Sequence, residues 1–165
     1  MQGEIVRISI KNHNKYKETG FVGLPKIEVS EAEINFSGVA DDYNHYRATR
    51  KNNSPDRAVL LMTTDMLKQL QSEGWPLKLG DLGENLSVKD IPYEFFEVGK
   101  KFNVGEVKLE ITEKCNPCNN LSALQYVGDE KVMEFIKILK NRRGWYAKVL
   151  KEGLVKKNDR ITHFE

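Results

Sequence analysis

Nowhere in the 165 residues is there a run of roughly 20 apolar side chains, the length a helix needs to cross a bilayer, so no membrane partner is expected. The opening MQGEIVRISI lacks a basic-then-apolar signal region and reads as a strand from its start, which makes the cytoplasm the expected compartment. Cysteine is nearly absent, at two residues, and in a reducing compartment a disulfide between them would be transient or catalytic rather than structural. An excess of one charge is missing too. The net charge of +2 is too small to argue for nucleic acid, so nucleic acid is not an expected partner, whereas an anionic small molecule remains open. Internal repeats, low-complexity tracts and a Pro/Gly/Ser linker are also lacking, and residues 1–165 read as a single domain. A chain of that length buries roughly 70% of its unfolded surface around one core and needs no staple to fold.

What is there is mostly strand. EIVRISI, KIEVSEAEI, RAVLLM, ENLSV, FEVGKKFNV, EVKLEIT, WYAKVL and RITHF alternate or are β-branched, and Gly, Pro, Asn or Asp bound them. A KEG turn joins WYAKVL to a further strand, GLVKK, and KKND introduces the last one. Only two segments keep helical spacing. In TTDMLKQLQSEG, Thr63 or Thr64 caps, Met66, Leu67 and Leu70 share a face, and Gly74 stops the helix. In DEKVMEFIKILKNRRG, Asp129 and Glu130 sit at the positive end of the dipole. Val132, Phe135, Ile136 and Leu139 form the stripe, and Arg142 and Arg143 suit the negative end. Many short strands with a few peripheral helices predict a mostly β fold closed into a barrel, because closure removes the edges that template aggregation. Two polar stretches, 11–20 and 41–57, are read as loops.

Both cysteines lie in EKCNPCNN, directly after a strand. A four-ligand zinc site would need partners from His13, His45 and His163, which are scattered, and no second Cys-x-x-Cys exists. A thioredoxin-like pair sits in a βαβ rhythm that this chain lacks. Two readings of the residues then stay open: a single working thiol, with Pro117 presenting Cys118 on a tight turn and Lys114 favouring the thiolate, or two buried cysteines packed in a turn. Elsewhere, LGDLGENLSV allows a turned backbone whose N–H groups approach a ligand beside Asn85, or a plain hairpin turn held by that amide. NNSPDRAVLL delivers Arg57 to the mouth of a buried strand, to grip a phosphate or carboxylate or to pair with Asp56 or Asp41. Trp145 and Tyr146 read as barrel wall, and Arg143 and Trp145 as residues that could line a pocket mouth.

Taken in order, GLPKIEVSEAEINFSGVADDYNHYR, SPDRAVLL, GDLGENLSV, VGKKFNVGEVKLEITEKCNPCNNL and RRGWYAKVLKEGLVKKNDRI resemble the MOSC domain family, named for the C-terminal domain of molybdenum-cofactor sulfurases. The chain is similar to its small stand-alone, YiiM-like bacterial members. The resemblance implies a MOSC-type β-barrel and a cysteine that either ligates molybdenum in a pterin cofactor or carries sulfur as a persulfide. It further implies reduction of N-hydroxylated compounds such as hydroxylaminopurines, with electrons from a separate reductase. Carried over by motif, the catalytic and metal-ligating cysteine is Cys118, after Pro117, while Cys115 is a spectator or resolving thiol. Lys26, Arg57 and Asn85 match ligand-facing positions and would grip the cofactor's phosphate and pterin. The resemblance includes no aminotransferase-like sulfurase domain, so pyridoxal phosphate is not expected to bind this chain. Where many members carry His-Gly-Gly, this chain reads KNNSPDR, and no histidine is carried over to that place.

Overall fold

The structure, a computed structural model describing residues 1–17 and 19–165, is organised by one long strand that closes a ring. Strand β1 (Gln2–Ile10) pairs with β6 (Leu86–Lys89) on one side, and on the other its first residues pair with β11 (Arg160–Phe164). Between them run β7 (Lys101–Val104), β8 (Val107–Lys114), β9 (Trp145–Lys151) and β5 (Val59–Thr63), giving the closed order β1-β11-β7-β8-β9-β5-β6. Every pairing in this seven-stranded barrel is antiparallel except β5 with β6. A parallel pair needs a crossover, and helix α2 (Thr64–Ser72) supplies it by burying Met66, Leu67 and Leu70. Register shifts in β1 between Ile5 and Arg7, and in β8, mark the bulges that let strands bend around a closed ring.

Two expected strands are broken. KIEVSEAEI splits at Ser30: β2 (Ile27–Val29) pairs with the end of β1, while β3 (Glu31–Asn35) joins a separate three-stranded sheet with β4 (Gly38–Val39) and β10 (Gly153–Lys156). The Ser30 carbonyl accepts from Lys157 N, so this corner is stitched to the turn before β11. FEVGKKFNV keeps only Lys101–Val104 as strand, because a 3-10 turn at Tyr93–Phe95 and the positive φ of Gly99 interrupt it.

The polar stretch 41–57 is not all loop. It holds helix α1 (His45–Arg50), started by Asn44, whose side chain accepts from Arg47 N at 2.9 Å. Its anchor is polar. Arg47 is buried and donates through Nε to Ser54 O and through Nη2 to Asn53 O, each at 2.9 Å, so no apolar stripe announces the helix. Helix α3 (Gly128–Leu139) buries Val132, Phe135 and Leu139, with Ile136 only half-buried, and Trp75 lies 4.5 Å from the Phe135 ring. Asn141 at positive φ follows the helix end, and Arg142 folds back on the last turn as expected, Nη1 donating to Ile138 O at 3.2 Å, whereas Arg143 turns away to Leu82, Asn116 and Cys118. Arg142 crosses to Glu73, after α2, at 3.0 Å. Among the described residues no helix is long and apolar enough to cross a membrane.

Phe135 is fully buried and Met133, on the same helix, is 61% exposed. Phe135→Ala is therefore expected to lower unfolding free energy by about 3–5 kcal/mol in urea titrations. Met133→Ala is expected to stay within about 0.5 kcal/mol of the parent.

Candidate functional site

The turn after β8 and the turn before β9 meet, and the two thiols divide between them. The Cys115 N–H donates to Gly144 O at 2.8 Å, which fixes Cys115 against the start of β9, where its side chain is buried with Leu60 and Tyr146. Asn116 and Pro117 then turn the chain, and Cys118, half-buried, precedes a 3-10 turn at Asn119–Ala123. Gly144 has φ of 122°, and a Cβ there would lie 2.6 Å from Leu61 O, so the chain enters β9 at this point only through glycine.

That entry turns Arg143 inward. Its guanidinium is 7% exposed and donates from Nε to Leu82 O at 3.3 Å, and from Nη1 to Asn116 O at 3.1 Å and to Cys118 Sγ at 3.4 Å. Burial discourages its charge, but Cys115, Cys118 and Tyr146 together outweigh burial and hold Arg143 above its ordinary range. Burial pushes the Cys115 thiol up, with Arg143 opposing, and likewise raises the Tyr146 phenol, where Cys115 adds to the effect. A buried guanidinium against a half-exposed sulfur is a donor and countercharge for an anionic sulfur ligand. Lys114, expected to play that part, instead lies 4.9 Å from the Trp145 ring. The zinc reading also fails on ligands: among the described residues no three His, Cys, Asp or Glu side chains converge.

Arg143 forms one wall of a narrow cleft whose other walls include Val22–Leu24, Lys26, Tyr43–Tyr46, Leu82–Gly83 and Tyr146. Gly83 has φ of 87°, and a Cβ there would come within 3.0 Å of Leu24 Cδ2 and narrow the space. Trp145 does not line this cleft, although it and Tyr146 are barrel wall as expected.

The cofactor-gripping residues expected from the sequence fall in two neighbouring places. Lys26 lines the cleft, almost fully buried, with Nζ 2.6 Å from Asp42 Oδ2. Asn85 donates to the same Asp42 oxygen at 2.8 Å and to Ser9 O at 3.3 Å, and its Oδ1 accepts from Leu60 N at 3.1 Å. Its amide thus ties β1 and β5 to the Asp42 loop. Arg57 pairs with Glu113 at 2.7 Å and lies 5.8 Å from the Tyr146 ring; its Nε is buried without a protein partner. Arg57 and Asn85 border an adjoining polar cavity with Asp42 and Arg47, and Tyr43 and Asn44 belong to both spaces.

Sequence reasoning missed Asp42 and Tyr43 and considered His45 only as a zinc partner, because all three sit in the stretch read as loop. Arg143 was visible as a pocket candidate, yet its contact with Cys118 was not. The available signal was the Asn-Arg-Arg-Gly run, whose Asn141 and Gly144 both take positive φ.

A closed β-barrel carrying a thiol, a buried arginine and a cation-lined cleft is the class of protein that these features define. A family model described as "MOSC domain" matches residues 48–162, and the chain belongs to that family. No curated protein matches it in sequence. Among solved structures it is similar to the YuaD protein from Bacillus subtilis, with a TM-score of 0.79 and 14% identity over 100% of this chain and 97% of that one. It is also similar to YiiM from Geobacillus stearothermophilus, with a TM-score of 0.71 and 16% identity over 99% and 75% of the two chains. For YiiM from Escherichia coli the TM-score is 0.64, with 19% identity over 100% and 70%. The YiiM-like barrel fold expected from the motifs is therefore the fold observed.

The turn that supplies Leu82 to Arg143 also buries an acid. Glu84 is 1% exposed; its Oε1 accepts from Gly80 N at 2.6 Å, and its Oε2 has no partner. Burial raises its pKa, Asp81 adds to that rise, and the Gly80 N–H and Lys26 oppose it. A carboxyl held higher in the folded chain than in the unfolded one contributes stability that is full below the ordinary carboxylate range and lost as pH rises through the raised value. Stability measured by urea unfolding should thus fall as pH rises above the ordinary carboxylate range of about 4, and Glu84→Gln should remove much of that slope.

Proposed function

We propose that this protein is a molybdenum-cofactor oxidoreductase that reduces N-hydroxylated compounds such as hydroxylaminopurines, with Cys118 as the sulfur ligand. The observation that carries this reading is the 3.4 Å contact of buried Arg143 with the half-exposed Cys118 sulfur, beside a cleft that Arg143 also lines. The residues present fit the group. Cys118 offers the soft thiolate that molybdenum in a dithiolene accepts, and Arg57 has a buried Nε without a partner beside a polar cavity suited to a phosphate. Lys26 stands on the cleft wall with its charge balanced by Asp42, so it serves as a hydrogen-bond donor more than as a net charge. When bound, the cofactor supplies the two-electron redox chemistry. The protein's share is to hold the group through Cys118, Lys26 and Arg57, to keep Asn85 and Asp42 rigid behind it, and to shape the cleft for the substrate. Electrons come from a separate reductase in the cytoplasm.

A second reading is favoured by the same contact. A persulfide on Cys118 would end in an anionic sulfur, and Arg143 is positioned to bind it, as a sulfur carrier requires.

Elemental analysis of wild type and Cys118→Ser, expressed in a host that makes the pterin cofactor, separates the two. Near-stoichiometric molybdenum in wild type and its loss in the variant is the expected result. Molybdenum absent from both, with a sulfane-sulfur adduct on Cys118 in the intact mass, would replace the oxidoreductase by the carrier. Arg143→Met should keep the barrel's circular dichroism and lower molybdenum retention at least about tenfold, the range for losing a residue that orients a metal ligand.

A further inference from the structure

Resting on the reductase reading above, the geometry points to His45 as the acid that protonates the departing hydroxyl. Reduction of R–NH–OH takes up two electrons and two protons and yields R–NH2 and water. The N–O bonding pair leaves with oxygen, which must gain a proton to depart as water. The nitrogen gains an electron pair, which the separate reductase would supply by way of the bound cofactor, and a second proton from solvent. The first proton needs a donor on the cleft wall.

The candidates there are few. Among the described residues no carboxyl lines the cleft. Arg143 is engaged by Leu82 O, Asn116 O and Cys118 Sγ, and the Tyr146 hydroxyl accepts from Asn44 Nδ2 at 3.4 Å. Lys26 is engaged by Asp42 at 2.6 Å. Tyr43 is taken up by the His45 ring at 3.1 Å, and Tyr46 lies against Lys51, whose Nζ is 5.7 Å from its ring. His45 is the one imidazole on the wall, and histidine is the side chain most often used as a general acid.

Its ring is also oriented for the task. Nδ1 lies 3.1 Å from Tyr43 Oη, and Tyr43 is itself stacked on His13 at 4.7 Å and packed 5.5 Å from Phe21. As imidazolium, Nδ1–H donates to Tyr43 and Nε2–H, which has no partner among the described residues, is left for the substrate. The charged and titratable groups facing it are Lys26, Arg143, Tyr43, Tyr46 and Tyr146, with His13 behind Tyr43. Asn44 sets its position by capping the helix that His45 begins.

The test uses cofactor-loaded wild type, His45→Gln and Tyr43→Phe, with a hydroxylaminopurine as substrate and a chemically reduced viologen as electron source. His45→Gln should lose about 100-fold or more in kcat, the usual share of a general acid, with KM within about threefold and molybdenum content unchanged. Wild-type kcat should fall as pH rises and the acid is lost, and that fall should be absent in His45→Gln. In metal-free protein, calorimetric affinity for the same purine should be alike in wild type and His45→Gln, and Tyr43→Phe should change the nitrogen NMR signature of the His45 tautomer. Retention of kcat within about threefold with an unchanged pH profile overturns the assignment alone, as does parallel loss of molybdenum and rate. A wild type without molybdenum or turnover overturns the reductase reading and this inference with it.

Discussion

A guanidinium removed from water has to be met on every side, and much of the site follows from how Arg143 is met. Leu82 O, Asn116 O and Cys118 Sγ come from two different loops and converge on it. Losing one partner of a buried charge costs about 3–5 kcal/mol, because the other stays behind uncompensated. The loop at 79–85, the turn at 115–118 and the entry to β9 are thus bound to one geometry. The sulfur is held against the cleft-lining arginine by the same contacts that satisfy that arginine.

A second buried charge is managed differently. Lys26 and Asp42 neutralise each other at 2.6 Å, and Asn85 and the Lys11 N–H fill the remaining acceptor positions of the carboxylate. The pair leaves no net charge in the cleft wall, and Arg57 is likewise balanced by Glu113 at 2.7 Å, whereas Arg143 carries positive charge toward the sulfur. This division separates rigid scaffold from a cation site.

The barrel was legible because its strands alternate or are β-branched and end in turn residues, and because the VLLMT strand is buried from end to end. KIEVSEAEI looked continuous because a chain that changes sheets at a bend keeps its alternation through the bend. Helix α1 left no periodic trace, since Arg47 and the Asn44 cap hold it in place of apolar side chains. Cys118 was legible as the residue after proline at a strand end. Its partner Arg143, 25 positions away, was not, because nothing local couples them.

What the sequence by itself determined was the class of fold, the family and the candidate sulfur, since periodicity, turn chemistry and motif order are properties of neighbouring residues. Tertiary structure alone decided that Arg143 rather than Lys114 faces that sulfur, that Asn85 braces Asp42, and that His45 and Tyr43 share a cleft with Arg143. Those relations join residues far apart in the chain. They exist only because barrel closure and two glycine turns bring the loops together, and buried polar groups then must find each other.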